Sequence, residues 1–186
     1  SADPHRFNSA DSRNLAFHIF EPLIMPDLAL GTVPWLATQW REAGERDWVF
    51  TLRPGIRFHN GKPLTPEDVA FTFCRLDSAG GSMSGLIAGV EKVAARETGM
   101  VQITTQGPAP LLPQMLTMIG IVPAPDGWRE QYRPGGCANM AAALATLDEA
   151  RFARGLVPGT GPYRLTAFIA GGPVELERND NYWGPR

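Results

Sequence analysis

The chain has 186 residues, enough for one large domain or one and a half small ones, and its 44% hydrophobic content supplies a core. A formal net charge of -2 excludes the basic footprint of a direct nucleic-acid partner. No run of about 18 apolar residues occurs, so no segment reads as a membrane-spanning helix. The opening Ser1-Ala2-Asp3-Pro4 lacks a charged and then apolar leader, so an export signal is expected to have been removed.

In chain order, Ser12 to Phe20 reads as a short helix with Leu15, Ala16 and Ile19 on one face, stopped by Pro22. Trp48 to Leu52 alternates as a strand, Arg53-Pro54-Gly55 turns, and Ile56 to His59 alternates again, which predicts a hairpin. Thr65-Pro66-Glu67-Asp68 then combines an N-cap, a proline at the first helical position and two acids in the first turn. Val69, Phe73 and Leu76 follow at helical spacing, and this helix is expected to pack across the preceding hairpin. Val90 to Ala94 and Val101 to Thr105 predict a second antiparallel pair, and Leu111 to Ile119 an apolar helix ended by Gly120. Ala138 to Arg154 is helical by propensity, and Tyr163 to Ile169 with Val174 to Arg178 predicts a last hairpin. Helices and strands mix without a regular βαβ repeat, so the fold class is α+β or mixed α/β with mixed sheets and flanking helices.

Reactive constellations are absent from the pattern. Gly81-Ser82-Met83-Ser84-Gly85 misses the nucleophile-elbow spacing by one residue and reads as a flexible loop. The three histidines, His5, His18 and His59, form no metal-ligand spacing. Gly159-Thr160-Gly161 precedes a strand and lacks a following Lys-Ser/Thr, so it reads as a turn and not as a phosphate cradle. Glu67 and Asp68 belong to a helix cap, and Glu175 and Glu177 to the outer face of a strand. The expectation is a protein that is not an enzyme and carries no cofactor or metal. Cys74 and Cys137 can pair in an oxidising compartment, but sequence does not say whether they do.

Several segments, in collinear order, resemble the family 5 extracellular solute-binding proteins of the peptide/nickel/oligopeptide type. They are Ala2-Asp3-Pro4-His5, Phe20-Glu21-Pro22-Leu23 and Pro34-Trp35-Leu36-Ala37-Thr38-Gln39-Trp40. The block from Trp48 to Val69 follows the pattern Trp-x-Phe-x-Leu-Arg-x-Gly-x-x-Phe-x-x-Gly-x-Pro-Leu-Thr-x-Glu-Asp-Val throughout. Gly159-Thr160-Gly161-Pro162-Tyr163 and Leu176 to Gly184, with Asn181-Tyr182-Trp183-Gly184 at its end, close the set. Phe20 stands where the family usually has tyrosine, which bears on the ligand more than on the family.

The resemblance implies part of the first lobe of a two-lobed periplasmic-binding-protein fold, in the class with an extra subdomain. Residues 1–20 and 156–186 would belong to the main sheet of that lobe, residues 21–155 to the extra subdomain, and the second lobe would lie outside this chain. It implies a monomeric, exported binding subunit of an ABC importer, in the periplasm or at the cell surface. That subunit would capture a peptide or similar small solute between lobes and deliver it to a membrane permease. The alternative is a ligand-sensing domain of a regulator or a chemoreceptor partner with the same fold. By position in the family, the ligand-facing residues would be Phe7 and Asn8, Ser82 and Met83, and Ile119 and Gly120. Met83 in a Gly/Ser loop suits an adaptable contact, and Gly120 a close approach to backbone.

Overall fold

The computed structural model describes residues 2–6, 10–29, 31–78, 83–96, 99–128, 137, 144, 149–154, 156–169 and 171–185. Helix α1 (Ala10–Ile19) begins with Asp11 in its first turn, which favours the positive end of the helix dipole, and in its last turn His18 Nδ1 lies 2.7 Å from the Asn14 carbonyl. It buries Ala16 and Ile19, and the chain leaves through Phe20 and Glu21 into strand β1 (Ile24–Pro26), which pairs antiparallel with β2 (Thr32–Pro34). Asp27 closes that hairpin: one carboxylate oxygen accepts from the backbone N–H groups of Ala29 (2.8 Å) and Gly31 (2.7 Å).

A four-stranded antiparallel sheet in the order β3-β4-β6-β5 forms the centre, from β3 (Ala37–Glu42), β4 (Asp47–Leu52), β5 (Val90–Arg96) and β6 (Met100–Thr105). The register places Trp40, Phe50, Val101 and Ala95 across one face, with Trp48, Ile103 and Val93 in the next row. Phe50, Val101 and Ile103 on that face are fully buried, as the period-2 alternation requires. The β5–β6 pair matches the sequence expectation.

The first predicted hairpin does not form. β4 is already flanked by β3 and β6, and residues 56–64 close on themselves instead. Leu64 N–H donates to the Ile56 carbonyl at 3.0 Å, Phe58 N–H to Lys62 at 2.9 Å, and Arg57 bridges Pro63 across the turn at Gly61 (φ +82°). With only a few residues available before the helix, the segment can satisfy its backbone locally but cannot reach a free strand edge.

Helix α2 (Pro66–Ser78) is buried from Asp68 to Leu76, so it has no solvent face along that stretch. One side packs on β5 and β6, and the hairpin expected to receive it does not form. Another meets the extended segment 119–124, where the Thr72 hydroxyl accepts from Val122 N–H at 3.1 Å. Its cap is run by the acid of the first turn. Asp68 Oδ2 accepts from Thr65 N–H (2.8 Å) and the Thr65 hydroxyl (3.0 Å), while Oδ1 accepts from Ala124 N–H (2.8 Å).

The apolar helix is shorter than its pattern, α3 (Leu112–Leu116), and its last turn loosens into three-residue closures through Thr117, Met118 and Ile119. Of the predicted helix over 138–154, α4 (Glu149–Ala153) is described, and most of the remainder lies outside the described residues. Cys74 and Cys137 form a disulfide, which ties α2 to the stretch after Trp128. Strands β7 (Tyr163–Phe168) and β8 (Val174–Arg178) form the expected last hairpin, with β8 exposed along its whole length. One apolar cluster runs through α1, the sheet, α2 and the 119–122 segment to Trp128, Phe152 and Val157. Among the described residues no helix is long and apolar enough to cross a membrane.

Candidate functional site

Among the described residues two polar clusters lie inside this frame: one joins residues 21 and 35 to 182–183, the other residues 3–5 to 75 and 120. The first is centred on Glu21, which is 3% exposed where the chain leaves α1. Its Oε1 accepts from Trp35 Nε1 and the Tyr182 hydroxyl, both at 2.7 Å, and its Oε2 from Trp183 Nε1 at 2.8 Å. Burial pushes the carboxyl above its ordinary value; the donors oppose that shift without cancelling it. Trp35 and Trp183 meet edge to face at 5.2 Å, and the Arg53 guanidinium lies 4.9 Å over the Trp183 ring. Beside them is a cavity of about 430 Å³ walled by Pro34, Trp35, Arg53, Pro54, Ile56 and Trp183.

The glycine pair nearby is a packing requirement. A Cβ at Gly159 would sit 1.8 Å from the Ile19 carbonyl oxygen, and one at Gly161 2.6 Å from the His18 carbonyl oxygen. Gly161 N–H donates to Ile19 O at 2.9 Å, which joins residues 156–162 to the end of α1. His59 completes the junction: Nδ1 accepts from Gly159 N–H at 3.2 Å, so Nε2 carries the proton and donates to Gly161 O at 2.9 Å.

The second cluster is more deeply buried. Arg75, on α2, forms a bidentate pair with Asp3 (3.0 and 2.7 Å), and its Nη1 also donates to His5 Nδ1 at 2.8 Å. His5 Nε2 contacts the Gly120 carbonyl at 2.8 Å, and Asp3 Oδ1 accepts from His5 N–H at 2.9 Å. The side chains of Arg75 and Asp3 are both fully enclosed, with the guanidinium 3.6 Å over the Phe152 ring. Desolvation and the neighbouring guanidinium hold His5 down to about 4, so the ring is neutral at physiological pH. Both nitrogens of His5 and of His59 are engaged, so neither ring is placed to move a proton to or from a bound molecule. These clusters orient backbone; they do not assemble a nucleophile with a base.

Residues 31–186 match the bacterial extracellular solute-binding proteins, family 5. The chain belongs to that family. An uncharacterized protein of Bacillus subtilis (strain 168), YhjP, is 32% identical over all of this chain and 28% of its own length. The periplasmic oligopeptide-binding protein OppA of Escherichia coli (strain K12) is 25% identical over 98% of this chain and 34% of its own length. The solved structure of OppA from Burkholderia pseudomallei superposes with a TM-score of 0.78 at 21% identity, over 98% of this chain and 37% of that one. The chain thus spans about a third of the length of these relatives. Family 5 proteins are solute-binding proteins.

Within this family-5 chain the expected ligand-facing residues fall into two groups. Phe7, Asn8 and Ser82 lie outside the described residues. Met83 and Ile119 are buried in the apolar cluster, so the Met83 thioether packs as core and not as a loop contact. Gly120 is a glycine because a Cβ there would meet Phe20 Cβ at 2.8 Å, a reason internal to the chain. The hub role of Glu21 and the buried Arg75 were not visible in the sequence. Glu21, Trp35, Tyr182 and Trp183 all stood in family-like blocks, but nothing in their spacing showed that they meet. A lone arginine inside the apolar run Val69–Leu76 was the one signal for the second cluster.

Proposed function

We propose that this chain is part of the first lobe of an exported solute-binding subunit of an ABC importer. The subunit captures a peptide or similar small solute between two lobes and delivers it to the permease. The observation that carries this reading is the match of nearly the whole chain, in sequence and in fold, to oligopeptide-binding proteins. The Cys74–Cys137 disulfide supports export, because such bonds persist in oxidising compartments. Contacts between α1 and the stretch around Gly161 support the grouping of residues 1–20 with 156–186 as main-sheet lobe, with 21–155 inserted as the extra subdomain.

Phe7, Asn8 and Ser82 are the proposed side-chain contacts of the cleft. Ile119 and Gly120 would present backbone, and Met83 would support Ser82 from the core. Solute would draw the lobes together by binding the closed form better than the open one. The test is calorimetry of the full-length protein with di- to pentapeptides, tri-alanine included. The expected result is at least one peptide bound at about micromolar affinity or better. Absence of heat with every peptide at about millimolar concentration would refute the peptide reading.

A further inference from the structure

The geometry of the second cluster settles the protonation of His5 without reference to pH. A guanidinium carries donors only, so the His5 nitrogen 2.8 Å from Arg75 Nη1 must offer a lone pair. The ring proton is therefore on Nε2, which faces the Gly120 carbonyl at 2.8 Å. Arg75 is also the fork that holds both oxygens of Asp3. One side chain from α2 thus fixes the position of the Asp3–His5 segment and the tautomer of His5, and that tautomer holds the 119–120 segment.

We infer that Arg75 is a positioning residue for solute binding: it helps to keep His5 as a neutral Nε2–H donor, so that the Asp3–His5 segment and the Ile119–Gly120 segment stay in one register from neutral to mildly acidic conditions. This rests on the proposed cleft, in which the stretch after Asp3-Pro4 and the 119–120 segment approach the solute. Preorganisation of two binding segments raises affinity by removing the ordering that binding would otherwise require.

Among the described residues the charged groups bearing on His5 are Arg75 from α2 and Asp3 from its own segment; the 119–120 segment opposite contributes an uncharged carbonyl. Their effects oppose each other. The guanidinium disfavours an imidazolium, and the carboxylate favours one. Removal of the arginine would leave the carboxylate as the one charge beside the ring, with burial, the largest influence on His5, still opposing an imidazolium. His5 would then gain a proton in mild acid, and Nδ1–H would turn from acceptor to donor, with Asp3 as its natural partner. The Nε2 contact that holds Gly120 would no longer be fixed in place.

The experiment uses the full-length protein and two readouts. Histidine side-chain NMR follows the tautomer and charge of His5 with pH, and calorimetry with tri-alanine gives affinity at about pH 7.5 and about pH 5.5. In the wild type His5 should remain the Nε2–H tautomer across that range, with affinities within about twofold of each other. In Arg75→Met the His5 titration should rise by about two pH units, and affinity at the lower pH should fall by about fourfold relative to the higher. His5→Gln, which keeps an N–H donor and cannot titrate, should stay pH-independent and within about twofold of wild type, whereas His5→Leu should weaken binding at both pH values. An unchanged His5 titration in Arg75→Met overturns the inference; so does a shifted titration with pH-independent affinity. If Arg75→Met does not fold, the two His5 variants decide: equal affinities overturn it. If the wild type does not bind tri-alanine, the peptide that binds in the calorimetric series takes its place; failure of every peptide would count against the peptide reading alone, while the NMR arm still decides what Arg75 does to His5.

Discussion

Replacement of Asp68 by alanine should destabilise the protein much more than replacement of Thr65, although Thr65 occupies the N-cap. Asp68 is 3% exposed and accepts three hydrogen bonds, two from backbone N–H groups of Thr65 and Ala124 and one from the Thr65 hydroxyl. Bonds to a charged acceptor contribute about 1.5–3 kcal/mol each, and orphaned donors lose their share when buried. Thr65 and Ala124 are only partly buried, so water can recover some of that loss. The lower end of the range for the two backbone donors gives about 3 kcal/mol for Asp68→Ala. Thr65→Ala removes one hydroxyl donor and leaves the carboxylate on the Thr65 N–H, so about 0.5–1 kcal/mol is expected. Asp68→Asn keeps one acceptor oxygen and should fall between them. Urea denaturation of the full-length protein and the three variants, followed by tryptophan fluorescence, reads these differences directly. Equal losses for Asp68→Ala and Thr65→Ala would show that the hydroxyl, and not the carboxylate, holds the helix start and the 124 segment.

Three further outcomes follow from the same geometry. Gly159→Ala should destabilise by about 3 kcal/mol or more, because its Cβ would overlap the Ile19 carbonyl; a denaturation midpoint equal to wild type would show that the junction can open without loss. Reduction of the Cys74–Cys137 disulfide, which spans 63 residues, should lower stability by about 2–4 kcal/mol; urea curves with and without reductant, and a Cys74→Ser/Cys137→Ser control that no longer responds to reductant, measure it. The Glu21 carboxyl is raised in the folded state, so its ionised form is the less favourable one there. Its stabilising contribution is complete below the unfolded value and is lost as pH rises through the folded one. The stability of wild type relative to Glu21→Gln should therefore increase as pH falls from neutral toward the unfolded carboxyl value of about 4.3, and a constant difference would contradict the burial of this group.

Local chemistry was legible from the residues alone wherever neighbours in sequence settle the outcome. The helix from Pro66 and the β5–β6 and β7–β8 hairpins are of this kind, since caps and alternation act within a few residues. The ordered set of blocks from Asp3 to Gly184 carried the family as well. Tertiary structure decided what depends on which edges and faces remain free. Residues 56–59 alternate like a strand, yet β3 and β6 already flank β4, so that stretch closed on the residues just after it. Met83 looked like an adaptable loop residue, yet it is core, because exposure depends on what the rest of the chain places around a position. The same holds for Glu21, which collects donors from residues 35, 182 and 183, and for Arg75, which collects Asp3 and His5. Separations of that length leave no periodicity to read. A buried charge is stable only where distant groups converge on it, and that convergence is a property of the folded chain.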